Sequence, residues 1–130
     1  MKIYSVEIVT HELNQIRNAC ISTDALKKEI DRINQCYEFL SEEYKEKYTV
    51  LAKKLCDVVQ GIYALKEVYL LAAANLDVIE REFIMLRYFQ NYQLWQISNK
   101  MRYSKTGLFK LKQKAIRHLT EYLSKEEDYD

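Results

Sequence analysis

The chain has 130 residues, 48% of them hydrophobic, and its 20 Lys and Arg against 19 Asp and Glu leave a formal net charge of +1. That apolar content excludes a disordered chain, and the length suits one domain, or one small domain joined to an oligomerising element. With no Pro and only two Gly, the turn residues that sheets require are missing, and an all-α fold is expected.

Cys20, Cys36 and Cys56 are odd in number and widely spaced, with only His11 and His118 as companions. Neither a zinc site nor a disulfide framework is suggested, and reduced thiols fit better. Residues 1–10 hold no apolar run long enough for export or membrane spanning. The expected setting is cytoplasmic, with no membrane partner.

Residues 1–9 alternate loosely (Ile3, Tyr4, Val6, Ile8, Val9) and read as either a short extended arm or a first helical turn. From Thr10 as cap, Leu13, Ile16, Cys20 and Ile21 give a short amphipathic helix that should stop at Ser22-Thr23-Asp24. Apolar residues then recur at steps of three and four from Leu26, Ile30 and Ile33 through Tyr44, Tyr48 and Leu51 to Ile62, Leu65 and Tyr69. One irregularity falls at Tyr44. Either a single helix continues there through a stutter, or the chain turns near Ser41-Glu42-Glu43 into an antiparallel hairpin. A seam of that length, ~66 Å if unbroken at ~1.5 Å per residue, must pack on itself or on another copy, so an intramolecular bundle and a homodimer both stand. Tyr at seam positions implies loose, partly exposed packing, and Gly61 is expected to relieve crowding.

Residues 77–119 are where period, turn signals and charge change together. Val78, Phe83, Leu86 and Phe89 set one apolar period, Leu94, Ile97 and Met101 a second, and Leu108, Leu111, Ala115 and Leu119 a third. Asn75 or Asp77 can cap the first of these helices, with Glu80 and Glu82 in its opening turn, where negative charge is favoured. Gln90-Asn91-Tyr92-Gln93 breaks the first from the second, and Arg102-Tyr103-Ser104 breaks the second from the third, with Ser104 as N-cap. A short helix, a three-residue connection and a longer basic helix match the helix-turn-helix pair whose second member enters the major groove. The competing reading is an ordinary helical hairpin in a core.

Charge separates the two. From position 83 to 120 there are eight cations (Arg87, Lys100, Arg102, Lys105, Lys110, Lys112, Lys114, Arg117) and no acid, so this segment carries +8 and the rest −7. A one-signed helical face in an otherwise acidic chain suits phosphate attraction and counterion release. On a helix of ~3.6 residues per turn, Thr106, Lys110, Gln113 and Arg117 lie opposite the Leu108–Leu119 row. Lys105, Thr106, Phe109 and Lys110 are the candidates for base edges, and Gln113, Lys114 and Arg117, with Lys100 and Arg102, for phosphates. Phe109 reads as a base contact, a contact with a partner, or a residue buried by the N-terminal helices. Gly107 inside the helix is unfavourable by ~1 kcal/mol relative to Ala, and close backbone approach to DNA is one reason to keep it. Trp95 reads as a packing residue.

No Gly-rich phosphate loop, metal-spaced cluster or nucleophile with a base occurs in the sequence. No catalytic activity and no cofactor are expected. After Leu119 the tail turns acidic, and such tails are mostly solubilising.

Glu80-Arg81-Glu82-Phe83-Ile84-Met85-Leu86-Arg87-Tyr88, then Ile97, Met101, Ser104 and Lys114-Ala115-Ile116 to Leu119, resemble region four of bacterial sigma factors over about forty residues. The resemblance implies promoter reading through the last helix, with base-reading roles for Lys105, Thr106, Phe109 and Lys110. Phe109 and Lys110 stand where that family tends to place long polar groups such as Arg and Gln, and the inter-helix turn lacks its frequent Gly, so base preference does not carry over. A helical N-terminal half joined to such a unit is similar, by architecture, to phage late-gene transcription regulators of the ArpU and RinA type. The resulting expectation is an N-terminal helical hairpin or coiled coil for oligomerisation (1–76), a three-helix helix-turn-helix unit (77–120) and an acidic tail (121–130). The expected function is a sequence-specific double-stranded DNA-binding regulator of phage late genes, a homodimer through its N-terminal helices, with RNA polymerase as a further partner. The alternatives are a DNA-packaging recognition subunit and a sigma-like adaptor that grips a protein.

Overall fold

The computed structural model describes residues 3–128, with side chains through residue 125. Within them the chain is helical throughout and contains no strand: α1 (Val6–Asn34), α2 (Glu42–Ala73), α3 (Val78–Ile84), α4 (Leu94–Met101) and α5 (Lys105–Asp128). A 3-10 turn at Tyr37–Phe39 joins α1 to α2, and a π-helical turn at Met85–Phe89 extends α3.

Helix α1 starts earlier and ends later than its sequence implied. Its N-cap is Ser5, whose hydroxyl accepts from Ile8 N at 3.2 Å, and it runs without interruption through Ser22-Thr23-Asp24. Those residues disfavour a helix interior by only a few tenths of a kcal/mol each, and no Gly or Pro enforces a stop. Packing against α2 along the shared seam outweighs that preference.

The seam is not one continuous helix. It breaks at residues 35–41, and α2 opens on Glu42 and Glu43, where the helix dipole favours acids. The Tyr37 ring meets Tyr48 edge-on at 5.4 Å, and the Lys45 ammonium lies 5.2 Å from the Tyr37 centroid. Near the other end Tyr69 Oη donates to Glu12 Oε1 at 3.0 Å. These contacts set α1 and α2 antiparallel. Gly61, in mid-α2, is exposed, and an added Cβ would meet nothing within 4 Å; it relieves no crowding.

Burial divides this antiparallel pair. Val9, Leu13 and Ile16 of α1 and Tyr69, Ala72 and Ala73 of α2 are buried, whereas no described residue from 17 to 68 is. The buried ends belong to a core completed by α3, the π turn, α4 and α5, a compact head from which the two long helices extend as a stem.

In the head the inward residues are Phe83, Ile84, Leu86 and Tyr88, while Val78 is exposed and Phe89 only half-buried. The wide turn at Met85–Phe89 accounts for this departure from a 3.6-residue row, because it accommodates an extra residue per turn. The α5 row behaves as its spacing implied: Leu108, Leu111, Ala115 and Leu119 are all buried. The helix continues past them to Asp128 and buries Leu123 as well, so the acidic stretch begins as helix. Tyr129 and Asp130 lie outside the described residues.

Candidate nucleic-acid interface

The turn between α4 and α5 fixes how α5 is presented. Ser98 O accepts from Tyr103 N at 3.2 Å, and Arg102 takes the left-handed conformation at φ 58°, ψ 43°. Ser104 Oγ accepts from Gly107 N at 3.0 Å, the cap its position implied. A Cβ on Gly107 would stand 3.2 Å from that hydroxyl and 3.3 Å from the Tyr103 ring. The cap itself therefore supplies a reason for glycine, independent of any ligand.

With the Leu108–Leu119 row turned into the head, Lys105, Thr106, Phe109, Lys110, Gln113, Lys114 and Arg117 are all exposed on α5. Lys100 and Arg102, at the end of α4, are exposed too. The first turn of α5 contains no acid, so its positive dipole end adds to the cationic side chains. From Lys105 to Arg117 the exposed side spans ~18 Å at ~1.5 Å per residue, enough to follow a groove for about half a duplex turn.

Three of the eight cations of this segment have internal partners. Lys100 Nζ lies 5.3 Å from the Tyr92 ring centroid, Lys114 Nζ lies 3.9 Å from Glu80 Oε1, and Arg87 donates to Tyr92 O at 3.1 Å. Burial, and secondarily Arg17, lowers the Arg87 pKa below its ordinary value. Arg87 is thus part of the head's internal structure rather than of its surface, while Lys100 and Lys114 remain open to solvent.

Beneath this face sits a carboxylate whose place in the sequence marks it only as a first-turn acid. Glu80 is 1% exposed, and its two carboxylate oxygens lie 2.8 and 2.9 Å from His118 Nδ1. Its backbone N–H donates to the N-cap Asp77 at 2.9 Å. Glu80 therefore ties α3 to α5 through His118, and draws Lys114 toward the same point. A buried Glu needs such partners, and the pairing of positions 80 and 118 has no signature in local spacing.

Of the two aromatic residues on this side, Phe109 takes one of its exposed alternatives and Trp95 departs from its expected packing. Phe109 is 58% exposed, not covered by the N-terminal helices, and Trp95 is 62% exposed rather than packed, its indole N–H donating to Gln93 Oε1 at 2.7 Å. Together with Leu94, Leu108, Lys105 and Lys112 they line a groove of about 530 Å³ between α4 and α5. Trp95 follows Leu94 directly and falls off the row that leads to the buried Ile97, which was the available signal.

No described group of three or more His, Cys, Asp or Glu is arranged to hold a metal ion, and no described helix is long and apolar enough to cross a membrane. No family model, curated protein or solved structure matches the chain.

Proposed function

We propose that the chain is a sequence-specific double-stranded DNA-binding transcriptional regulator. In this reading α4, the Arg102 turn and α5 form a helix-turn-helix, the α1–α2 pair is an oligomerising hairpin, and α5 lies in the major groove. The observation that carries it is the exposed side of α5, where every charged residue from Lys105 to Arg117 is a cation and none of the flanking chain back to position 83 is acidic. Lys105, Thr106, Phe109 and Lys110, nearest the start of α5, are the base-reading candidates, and Lys100, Arg102, Gln113, Lys114 and Arg117 the phosphate contacts. The regulatory setting, a phage or prophage late-gene activator acting as a homodimer with RNA polymerase, follows from the resemblance to sigma region four and to ArpU and RinA regulators. Genome-wide immunoprecipitation with sequencing tests it: enrichment at a promoter upstream of late genes is expected, enrichment at a packaging site points instead to a DNA-packaging subunit, and an absence of enrichment rejects both.

A second reading is favoured by a separate observation. The apolar groove of Leu94, Trp95 and Phe109, edged by Lys105 and Lys112, has the composition of a protein-docking surface, as an adaptor that grips a protein partner would need. In that case Ala at both Lys105 and Lys110 leaves regulation intact, whereas Ala at Trp95 and Phe109 abolishes it.

A further inference from the structure

The stem carries a second apolar row, distinct from the seam that joins α1 to α2. Ala52, Cys56, Val59, Tyr63, Lys66 and Leu70 recur at steps of four, three, four, three and four. On a helix of ~3.6 residues per turn this row lies about a quarter-turn from the Leu51, Leu55, Val58, Ile62 and Leu65 seam. Val59 is 41% exposed, Tyr63 66% and Leu70 42%. Val59, Tyr63 and Lys66 line a groove shared with Ala19, Cys20 and Thr23 of α1 and with Phe89, Gln90 and Asn91 of the head, and a heptad-spaced row along such a groove, apolar but for Lys66, is the pattern of a helix that packs on another helix.

The charges around it select the occupant. Residues 17–68 hold nine Lys or Arg and nine Asp or Glu, so the stem is neutral overall, unlike the cationic face of α5. A neutral surface with both signs interspersed has no pull on a polyanion, but it can complement a copy of itself. In parallel pairing Lys66 would face Lys66. Antiparallel pairing removes that repulsion, and in the register that sets Val59 opposite Tyr63 of the second copy, Ala52 meets Leu70, a small residue against a large one. The same register places Lys53 beside Glu67 of the second copy, and by two-fold symmetry the pair forms twice.

We infer that the Ala52–Leu70 face of α2 is the dimer interface, with two stems packed antiparallel as a four-helix bundle. The inference deepens the homodimer reading given above and rests on it. The two heads then stand toward opposite ends of the bundle, with the first turns of each α2 running alongside the head of the second copy.

Sedimentation equilibrium of the intact, reduced chain tests this directly, using charge reversals at exposed positions that do not touch the head. Lys53→Glu and Glu67→Lys should each weaken the dimer about fivefold or more at low salt, and the two together should restore it to within about twofold of the parent. Circular dichroism on each variant checks that helix content is retained. A chain that is monomeric throughout, single variants that dimerise like the parent, or a double variant as weak as either single overturns the interface. A chain that obeys the charge swap yet ignores duplex DNA refutes the DNA reading alone; one that binds duplex DNA as a monomer refutes this inference alone.

Discussion

Replacing His118 by Leu isolates the polar contact that ties α5 to α3. The imidazole Nδ1 spans both oxygens of Glu80 at 2.8 and 2.9 Å, and the Lys114 ammonium stands 3.9 Å away and is 55% exposed in its side chain. Leu at 118 preserves apolar contact with the head but leaves a carboxylate, 1% exposed, with one weak partner. Stripping a fully enclosed carboxylate of its hydrogen-bond partner destabilises by upward of ~3 kcal/mol. His118 is 35% exposed in its side chain, so water and Lys114 compensate part of that loss, and about 2–3 kcal/mol remains. At roughly 3–4 °C per kcal/mol for a chain of this size, the melting temperature should fall by roughly 6–12 °C. Combining Glu80→Leu with His118→Leu removes the stranded charge. The double variant should be more stable than His118→Leu alone, about 1 kcal/mol below the parent, the residue being the lost first-turn acid. Urea unfolding monitored by circular dichroism reads both differences. A His118→Leu variant within ~0.5 kcal/mol of the parent, or a double variant less stable than that single one, would refute the reasoning.

Other outcomes follow from single positions. Arg102→Gly relieves a left-handed L-residue at φ 58° and should stabilise the fold by up to ~1 kcal/mol, while weakening duplex binding through the lost cation; thermal melting and fluorescence anisotropy on one preparation check the opposed signs. Gly61→Ala, where the new methyl meets nothing within 4 Å, should stabilise by ~0.5–1 kcal/mol through helix propensity alone, read as a higher urea midpoint at unchanged slope. Tyr69 is held above its ordinary pKa by burial and then by Glu12, and Tyr88 is raised by burial. The unfolded chain therefore releases these protons first, so their contribution is intact below pH ~10 and declines as pH rises past it. Denaturation midpoints across that range should show a steeper fall for the parent than for Tyr69→Phe.

The parts of the fold that could be read in the sequence are those where neighbours in the chain are also neighbours in space. The Leu108, Leu111, Ala115 and Leu119 row, the Ser104 cap and the Asp77 cap rest on contacts within four residues, and each is found as the spacing implied. What escaped it depends on distant partners or on a change of helical pitch. Ser22-Thr23-Asp24 stays helical because α2 lies alongside, and the π turn at Met85–Phe89 moves Tyr88 inward in place of Phe89. The exposed positions of the candidate interface followed from the same periodicity that placed the buried row. Its underside, the Glu80–His118 tie, joins residues 38 positions apart, and the Trp95–Phe109 groove arises only when α4 and α5 are set side by side.

The most direct measurement is the salt dependence of duplex DNA affinity for the intact protein. Six exposed cations, Lys100, Arg102, Lys105, Lys110, Lys114 and Arg117, flank the proposed reading side. If four to six phosphates are neutralised per head, log K should fall against log salt with a slope of about −3.6 to −5.4, and Ala at both Lys105 and Lys110 should make that slope shallower. Affinity that does not change between dilute and physiological salt, or no binding to any duplex in dilute buffer, would contradict the account.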